Sequence, residues 1–348
     1  MRFPPPAAMA VLCACGAPPL KDPPENRIDG ATTIISTESA RLSGPVDLAV
    51  DHNGLLYVLD YDAARILVVT GTGALVRGIG RVGSGPGEFQ RPGSFTLTHD
   101  SLRVVDQGNG RLQTLTLPGR FSRSVVLPPG STMGPVAVGD DGGFLVTTLG
   151  LHGALAESYD PFGNRQLRLG APPDSGPPAL NLRQSKEALI AGRLPALFRN
   201  AVLPIPSPDR GWWLVLTGEG RLQRYAADGA LAVSVPLAAP EMPQVRREAV
   251  AYAKATLEDQ RSVKPIRFVL DGVVVGNTLW VLLNATEDGP AVLLAFGADG
   301  QAIGRLTYPA VRGARSFALD PARDRVFFGL PNSASVVVAA LPPNLPGH

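Results

Sequence analysis

The chain has 348 residues, of which 45% are hydrophobic, and its formal net charge is +2. This is enough apolar material for a large buried core, and repeat architectures often run to this length as one unit. The small net charge, with no basic stripe in the sequence, argues against a nucleic-acid-binding protein. The 39 glycines and 34 prolines lie between short apolar runs, as turn residues do, which favours an all-β protein over disorder.

The first fifteen residues predict export. Met1-Arg2 is followed by an apolar stretch and then by small residues, as in a short secretory signal. The sequence from Leu12 to Cys15 resembles the bacterial lipobox, which implies that Cys15 becomes the lipidated N-terminus of the mature protein. An ordinary cleaved signal and a mis-assigned start are the alternatives, because three early prolines shorten the apolar segment. Residues 1–15 therefore predict a signal peptide, and residues 16–31 predict a tether.

Both cysteines lie within that signal, so the rest of the chain can form neither a disulfide nor a thiolate metal site. No later segment approaches the roughly 20 apolar residues that a membrane-spanning helix needs. The predicted attachment to the membrane is therefore through the lipid alone.

From residue 32 onward the sequence predicts short strands separated by turns. Thr32 to Leu42 is a lone strand candidate with no partner directly before it. The first full unit, from Pro45 to Ile79, contains four strands, and its Asn53-Gly54 pair is a strong hairpin signal. Similar units follow, and they begin at Gly93, Pro135, Ala201, Arg267 and Arg315.

The last unit supplies only three strands, so the strand at 32–42 is predicted to be its fourth. Six four-stranded units, one of them completed by the other end of the chain, describe a closed ring whose sheets leave only short edges. We therefore predict an all-β, six-bladed β-propeller over residues 32–342, with a tail at 343–348. Trp212 and Trp213 are neighbours in one strand and must point to opposite faces, and both are predicted to be core residues.

Two motifs in the first units carry a family resemblance. The sequence G-x-G-x-G-E-F-x-x-P at 83–92 and the sequence D-x-x-N-x-R-L at 106–112 resemble the NHL-repeat consensus. Weaker copies occur at 60–66 and 218–222. The mature chain thus resembles bacterial six-bladed NHL-like propellers, which implies a binding or scaffold module. Lyase members of that class use clustered histidine ligands in the central channel, and the four isolated histidines of this sequence do not supply them.

Two connectors are too long to be simple loops, and both are predicted to be helical insertions, at 171–199 and 238–265. In the first, residues 182–193 predict a helix. In the second, apolar residues recur at three- and four-residue spacing and predict a helix packed on the propeller: Val245, Ala249, Tyr252, Ala253 and Leu257. Packing alone, or a partner or lid role, would explain such a helix.

Strand parity predicts that both insertions lie on one face of the ring. In a four-stranded blade, the connector between blades and the turn between the second and third strands lie at the same end. The N-terminal tether is expected to leave from the opposite face, so that the lipid holds that plain face toward the membrane. Ligand or partner contacts are then expected on the cationic side chains of the insertions: Arg183, Lys186, Arg246, Arg247 and Lys254.

Two carboxylate–guanidinium pairs stand at equivalent turns. Asp60 and Asp106 end second strands, and Arg65 and Arg111 begin the strands that follow. A charge-assisted bond across each turn would pin it, which is a structural role. The alternative is a ring of ligand-facing charges. No metal site is predicted, since neither histidines nor acids stand at a metal-ligand spacing.

The sequence therefore predicts a monomeric, cofactor-free binding or scaffold module for a protein or a small molecule. We expect it to be lipid-anchored in a bacterial cell envelope, on the periplasmic side or the surface, or else to be secreted as a soluble protein. The alternative is a metal-dependent enzyme of the lactonase or lyase type that uses the channel. Asn284, Asp106 and Asp60 could contribute to such a metal site.

Overall fold

The computed structural model describes residues 23–40, 42–131, 134–172, 181–259, 262–285 and 289–343. The predicted signal peptide with Cys15, and most of the predicted tail, lie outside these residues. Two strands, β1 (Glu25–Arg27) and β2 (Thr32–Ile35), and one helical turn, α1 (Thr37–Ala40), precede the first full blade.

The remaining strands follow one another as antiparallel meanders. Blade 1 contains β3 (Pro45–Val50), β4 (Leu56–Asp60), β5 (Arg65–Val69) and β6 (Leu75–Ile79). Blade 2 contains β7 (Pro92–Leu97), β8 (Ser101–Asp106), β9 (Arg111–Thr116) and β10 (Phe121–Val126). Blade 3 contains β11 (Val136–Val138), β12 (Phe144–Thr147), β13 (Ala156–Tyr159) and β14 (Arg165–Leu169). Blade 4 contains β15 (Val202–Pro206), β16 (Trp212–Leu216), β17 (Arg221–Tyr225) and β18 (Leu231–Pro236).

Blade 5 contains β19 (Val269–Val275), β20 (Thr278–Leu283), β21 (Pro290–Phe296) and β22 (Ala302–Arg312). Blade 6 contains β23 (Ser316–Asp320), β24 (Arg325–Leu330) and β25 (Ser335–Ala340). The first strand of each blade contacts the first strand of the next, and β23 contacts β3, so the ring closes. The predicted six-bladed β-propeller is confirmed, and the six innermost strands surround its central channel.

Strand β2 closes the ring, because it pairs antiparallel with β25 as the fourth strand of blade 6. The predicted closing strand starts at the right residue, but its predicted end at Leu42 is wrong. Ile35 pairs with Val336, one residue from the start of β25, so the chain beyond Ile35 has no further edge to pair with. It forms α1 instead, and Ile35 is fully buried.

The interpretation of residues 16–31 as a free tether is wrong for its last part. Strand β1 pairs in parallel with β22 and becomes a fifth strand on the outer edge of blade 5. Arg305 of β22 forms salt bridges with both Glu25 of β1 and Glu241, which precedes the second insertion helix. The N-terminal segment thus contacts the residue before an insertion helix through Arg305. Because β1 runs parallel to β22, the chain enters β1 from the end of the ring opposite the insertion connectors, and the tether before residue 23 lies outside the described residues. An unpaired sheet edge readily takes up such a segment.

Hydrophobic side chains pack between neighbouring blades and form the core. Trp213 lies in a cluster shared by blades 4 and 5, and Trp212 lies in one shared by blades 3 and 4. Both predicted core positions are confirmed, because neighbouring strand residues face opposite sides of their sheet.

The two long connectors contain helices α2 (Leu182–Ile190), α3 (Ala196–Arg199) and α4 (Met242–Ala255). Helix α2 contacts α4, so both insertions lie on the same face, as strand parity predicts. Val245, Ala249 and Ala253 are buried against blades 4 and 5. Helix α4 ends before Leu257, and α2 ends before Gly192, whose φ of +75° no longer fits a helix. We name this end of the ring the insertion face; it carries α2, α4, the inter-blade connectors and the turns after second strands. Among the described helices, none has the length and apolar character of a membrane span.

Candidate functional site

Two aspartates on innermost strands stand out in the channel. Asp47 lies on β3 of blade 1 and Asp271 lies on β19 of blade 5, and each follows a β-bulge in its strand. The bulge inserts one extra residue, which turns the next side chain away from a regular pleat. Both side chains are half-buried. The two blades are separated only by blade 6, so both carboxylates border the same part of the channel.

Each of these carboxylates joins its own blade to the next one. One oxygen of Asp47 accepts from Leu48 N at 2.9 Å, and the other accepts from Phe95 N of blade 2 at 2.8 Å. Asp271 accepts from Gly272 N at 2.7 Å and from Phe317 N of blade 6 at 2.9 Å. The two aspartates therefore hold equivalent positions.

Blade 2 has a serine at the same place after its bulge. Ser94 Oγ donates to the carbonyl oxygen of Val136 in blade 3 at 3.1 Å. A short polar side chain at this position thus links neighbouring blades in three of the described sheets. The acid is not required for the link, because a hydroxyl makes one too.

The surroundings favour the protonated form of the two aspartates. Burial and, second, the negative charge of Asp271 together raise the pKa of Asp47 to about 8, against the opposing effect of two backbone N–H groups. Burial likewise raises the pKa of Asp271 to about 6, against hydrogen bonds from Phe317 N and Gly272 N. Two carboxylates that share one site cannot both ionise easily. The pair therefore retains a proton near neutral pH.

The pair falls short of a complete metal site. Calcium takes six to eight oxygen ligands, and zinc takes three or four side-chain ligands. Within the described ranges, no three histidine, cysteine or acidic side chains converge on one point. The acids and amide considered for a channel metal, Asp60, Asp106 and Asn284, are engaged elsewhere in hydrogen bonds.

The predicted carboxylate–guanidinium pairs form at both turns, and their surroundings indicate a structural role. Asp106 is fully buried and accepts from Arg111 Nε at 2.9 Å, Asn109 Nδ2 at 2.8 Å and Gln90 N at 2.7 Å. Arg111 also donates to the carbonyl oxygens of Gly85 and Glu88 in the glycine-rich connector. The motifs at 83–92 and 106–112, which resemble the NHL-repeat consensus, therefore pack against each other.

Asp60 repeats this arrangement in blade 1. It is fully buried, accepts from Gly44 N at 3.0 Å and faces Arg65 at 3.3 Å. A third pair, Asp320 with Arg325, has the same spacing in the sequence but was missed by the sequence analysis. It stands at the turn between the first and second strands of blade 6, on the opposite end of the ring from the other two.

The five predicted contact residues of the insertions differ in their availability. Lys186 is fully buried, and its Nζ donates to the carbonyl oxygens of Thr256 and Asp259, beyond the end of α4. It ties the two insertions together and cannot reach a ligand. Arg183 is exposed but forms salt bridges with Glu187 at 3.0 Å and Glu258 at 3.1 Å.

The other three predicted contact residues are exposed on α4. Arg246 stacks over the ring of Phe268 at 5.1 Å, and Arg247 donates to Gln244 Oε1 at 2.7 Å. Both guanidinium groups are thus held in place while they face solvent. Together with Lys254, which is also exposed, they give the insertion face a positive patch.

Two histidines that the sequence left isolated come together. The rings of His52 and His99 lie 5.3 Å apart, in equivalent turns of blades 1 and 2, at the end of the ring opposite the insertion face. Both are exposed, and no described third ligand joins them. The contact follows from the repeat itself, since equivalent turns of neighbouring blades are adjacent.

Asp47 and Asp271 were not among the site residues predicted from the sequence. The available signal was an acidic residue inside an apolar run near the start of a repeat unit, in V-D-L-A-V and L-D-G-V-V. In an innermost strand such a residue must point toward a neighbouring blade. Each alone reads as an ordinary strand residue, and only ring closure brings them together.

Comparisons with known proteins agree with the fold. A family described as a six-bladed β-propeller matches residues 34–129. A solved protein from Bacteroides fragilis is similar with a TM-score of 0.53 and 11% identity, covering 91% of this chain and 99% of that one. Virginiamycin B lyase from Staphylococcus aureus has a TM-score of 0.52 and 12% identity, covering 90% and 99%. At these identities the likeness concerns the fold alone.

A gluconolactonase from Xanthomonas campestris has a TM-score of 0.48 and 16% identity, with 86% of each chain covered. That similarity is too low to carry an argument. No curated protein sequence matches this chain.

Proposed function

We propose that this chain is an exported, lipid-anchored, NHL-like propeller that binds a ligand or partner through its insertion face. The observation that carries the proposal is the positive patch of Arg246, Arg247 and Lys254. Helix α4 is packed on the propeller core and on α2, so the patch stands on a rigid support. Binding surfaces gain affinity when their side chains are positioned beforehand, because less conformational entropy is lost on association.

Binding at this patch is tested by site-specific photo-crosslinking in cells of the source bacterium. A photoreactive residue replaces Arg247 in one variant and Arg120 in a matched control, since Arg120 is an exposed arginine in a turn on the opposite end of the ring. We expect a discrete adduct from position 247 and none from position 120. Identical adducts from both positions, or none from either, would contradict the proposal.

Export and anchoring rest on the N-terminal sequence and have their own test. We propose that Cys15 carries the lipid. The protein should partition into detergent when it is expressed in a bacterial host, and the Cys15→Ser variant should lose that partitioning. Unchanged partitioning of the variant would refute the anchor while leaving the binding proposal intact.

A second candidate function is a metal-dependent reaction in the channel. The observation that favours it is the convergence of Asp47 and Asp271, because raised pKa values often accompany catalytic carboxylates. The donor set is too small for calcium or zinc as it stands, so we derive no reaction step from it. The hydrogen bonds from the neighbouring blades already give both aspartates a structural role.

A further inference from the structure

Two exposed histidines meet at the end of the ring opposite the insertion face. His52 lies in the turn between β3 and β4 of blade 1, and His99 lies in the turn between β7 and β8 of blade 2. The centroids of their rings are 5.3 Å apart, and the ring planes are inclined by 36°. Because both residues are exposed, a dissolved ion can reach their ring nitrogens.

The two turns that carry these histidines are fixed by hydrogen bonds. In blade 1, Asp51 Oδ1 accepts from Asn53 N at 2.9 Å and from Leu55 N at 2.8 Å. In blade 2, Thr98 N donates to the carbonyl oxygen of Ser101 at 2.9 Å, and Ser101 N donates to Thr98 Oγ1 at 3.2 Å. Two ligands that are positioned beforehand lose less conformational entropy when they bind one ion.

The charges that adjoin the pair favour a cation over an anion. Asp51 and Asp100 are sequence neighbours of the two histidines, and carboxylates beside a site attract cations. Arg323 of blade 6 donates to the carbonyl oxygen of His52 at 3.3 Å. The charge of that arginine is met by Asp320 at 3.2 Å.

The separation of the two rings fits two ligands of one metal ion. A metal–imidazole bond of about 2.1 Å places each ring centroid roughly 3.2 Å from the ion. Two such rings at bond angles of about 90–120° have centroids roughly 4.5–5.5 Å apart. The observed 5.3 Å lies within that range. Rotation about the side-chain bonds of exposed residues can then aim one nitrogen of each ring at a common point.

A set of two imidazoles suits copper(II) better than zinc. Zinc sites in proteins use three or four side-chain ligands, and the described residues supply no third one here. Copper(II) accepts tetragonal coordination by nitrogen and oxygen, so water can fill the remaining positions. Copper(II) is also the divalent first-row ion that a given set of nitrogen ligands binds most tightly.

We propose that His52 and His99 together bind one copper(II) ion, with water completing its coordination. This site goes beyond the proposed function, because it lies at the other end of the ring and takes a different class of ligand. Copper binding there neither requires nor prevents the binding of a partner to Arg246 and Arg247.

The test is a calorimetric titration of the full-length chain, without a histidine tag, with copper(II) chloride in a glycine buffer that competes for weakly bound copper. Cys13 and Cys15 are replaced by serine throughout, because thiolates would compete for the metal. Electron paramagnetic resonance of the copper-loaded protein reads the nitrogen ligands. We expect one saturable copper ion per chain, coordinated by two imidazole nitrogens.

The variants His52→Gln and His99→Gln should each weaken copper binding at least about 10-fold, because the loss of an outer-shell partner alone costs that much at metal sites. His152→Gln is the matched control and should bind as the parent does. The side chain of His152 is 61% exposed, and it lies in a turn after a second strand, on the insertion face. Melting temperatures verify that every variant is folded. A parallel titration with zinc should show weaker binding.

The proposal is overturned if the parent shows no saturable copper binding, or if the spectrum shows only one imidazole nitrogen. It is also overturned if either glutamine variant at positions 52 and 99 binds like the parent, or if His152→Gln loses as much affinity. Tighter binding of zinc than of copper would overturn the choice of metal. A specific adduct at position 247 without saturable copper binding would refute this inference alone and leave the proposed function standing.

Discussion

Replacing Asp47 with asparagine should flatten the dependence of stability on pH. The pKa of Asp47 is raised from 3.8 to about 8 in the folded protein, chiefly by burial. Between these values the folded protein holds a proton that the unfolded chain has released, so stability falls as the pH rises. The contribution is complete below about pH 4 and lost as the pH passes about 8. Asparagine carries no charge at any pH and can still accept the hydrogen bond from Phe95 N.

The size of the effect follows from the titration and from the exposure of the pair. One proton retained on folding changes the free energy of unfolding by at most about 1.4 kcal/mol per pH unit. Asp47 is half-buried and faces the channel, so solvent screening reduces this to roughly half. Between pH 6 and 8 we expect a loss of about 1–2 kcal/mol, or roughly 2–5 °C in melting temperature.

The assay is a series of thermal or urea unfolding experiments from pH 5 to pH 9. The wild type should lose stability toward pH 8, and Asp47→Asn should lose less. Asp228→Asn is the matched control, because Asp228 is an exposed turn residue that accepts from Ala230 N at 2.9 Å. The reasoning is refuted if Asp47→Asn keeps the wild-type slope, or if Asp228→Asn flattens it equally.

Three further predictions concern the frame that supports the site. A chain that starts at Gly44 lacks both β2 and β1 and exposes a blade edge, so it should aggregate or lose cooperative unfolding; a soluble, cooperatively melting truncation would disprove the closure. Lys186→Met leaves two carbonyl oxygens unpaired and should destabilise the insertions by about 2–3 kcal/mol. Amide hydrogen exchange in α2 and α4 would then become faster. Unchanged exchange would contradict the role of Lys186 in linking the two insertions. Asp106→Asn should cost about 2–4 kcal/mol in urea unfolding, because a fully buried, multiply bonded carboxylate loses its charge-assisted partners. Asp160→Asn, in an exposed turn, should cost under about 1 kcal/mol, and equal losses would refute the role of Asp106.

The blades could be predicted because their information is local. A turn such as Asn53-Gly54 between apolar runs sets a hairpin without reference to distant residues. Counting strands then left the last unit one short, which identified the N-terminal strand as its partner. The end of that strand could not be predicted, because it depends on where β25 begins.

The features that were predicted wrongly or missed depend on contacts between residues that are far apart in the sequence. Glu25 to Arg27 form a strand only because β22 offers a free edge nearly three hundred residues later in the chain. The pairing of Asp47 with Asp271 likewise requires the ring to close. Lys186 was predicted to be exposed from its charge, although its spacing from Leu182 and Leu189 puts it on the apolar side of α2. That spacing was a usable signal, since a lysine there must find buried acceptors.

The measurement that tests the central claim most directly is metal analysis of the purified, chelator-free protein, followed by a calorimetric titration with calcium. Our account assigns the channel aspartates a structural role and places binding on the insertion face. It predicts substoichiometric calcium and zinc, with no saturable calcium binding. One calcium or zinc ion per chain that is lost in Asp47→Asn would contradict it, and would make the channel the functional site.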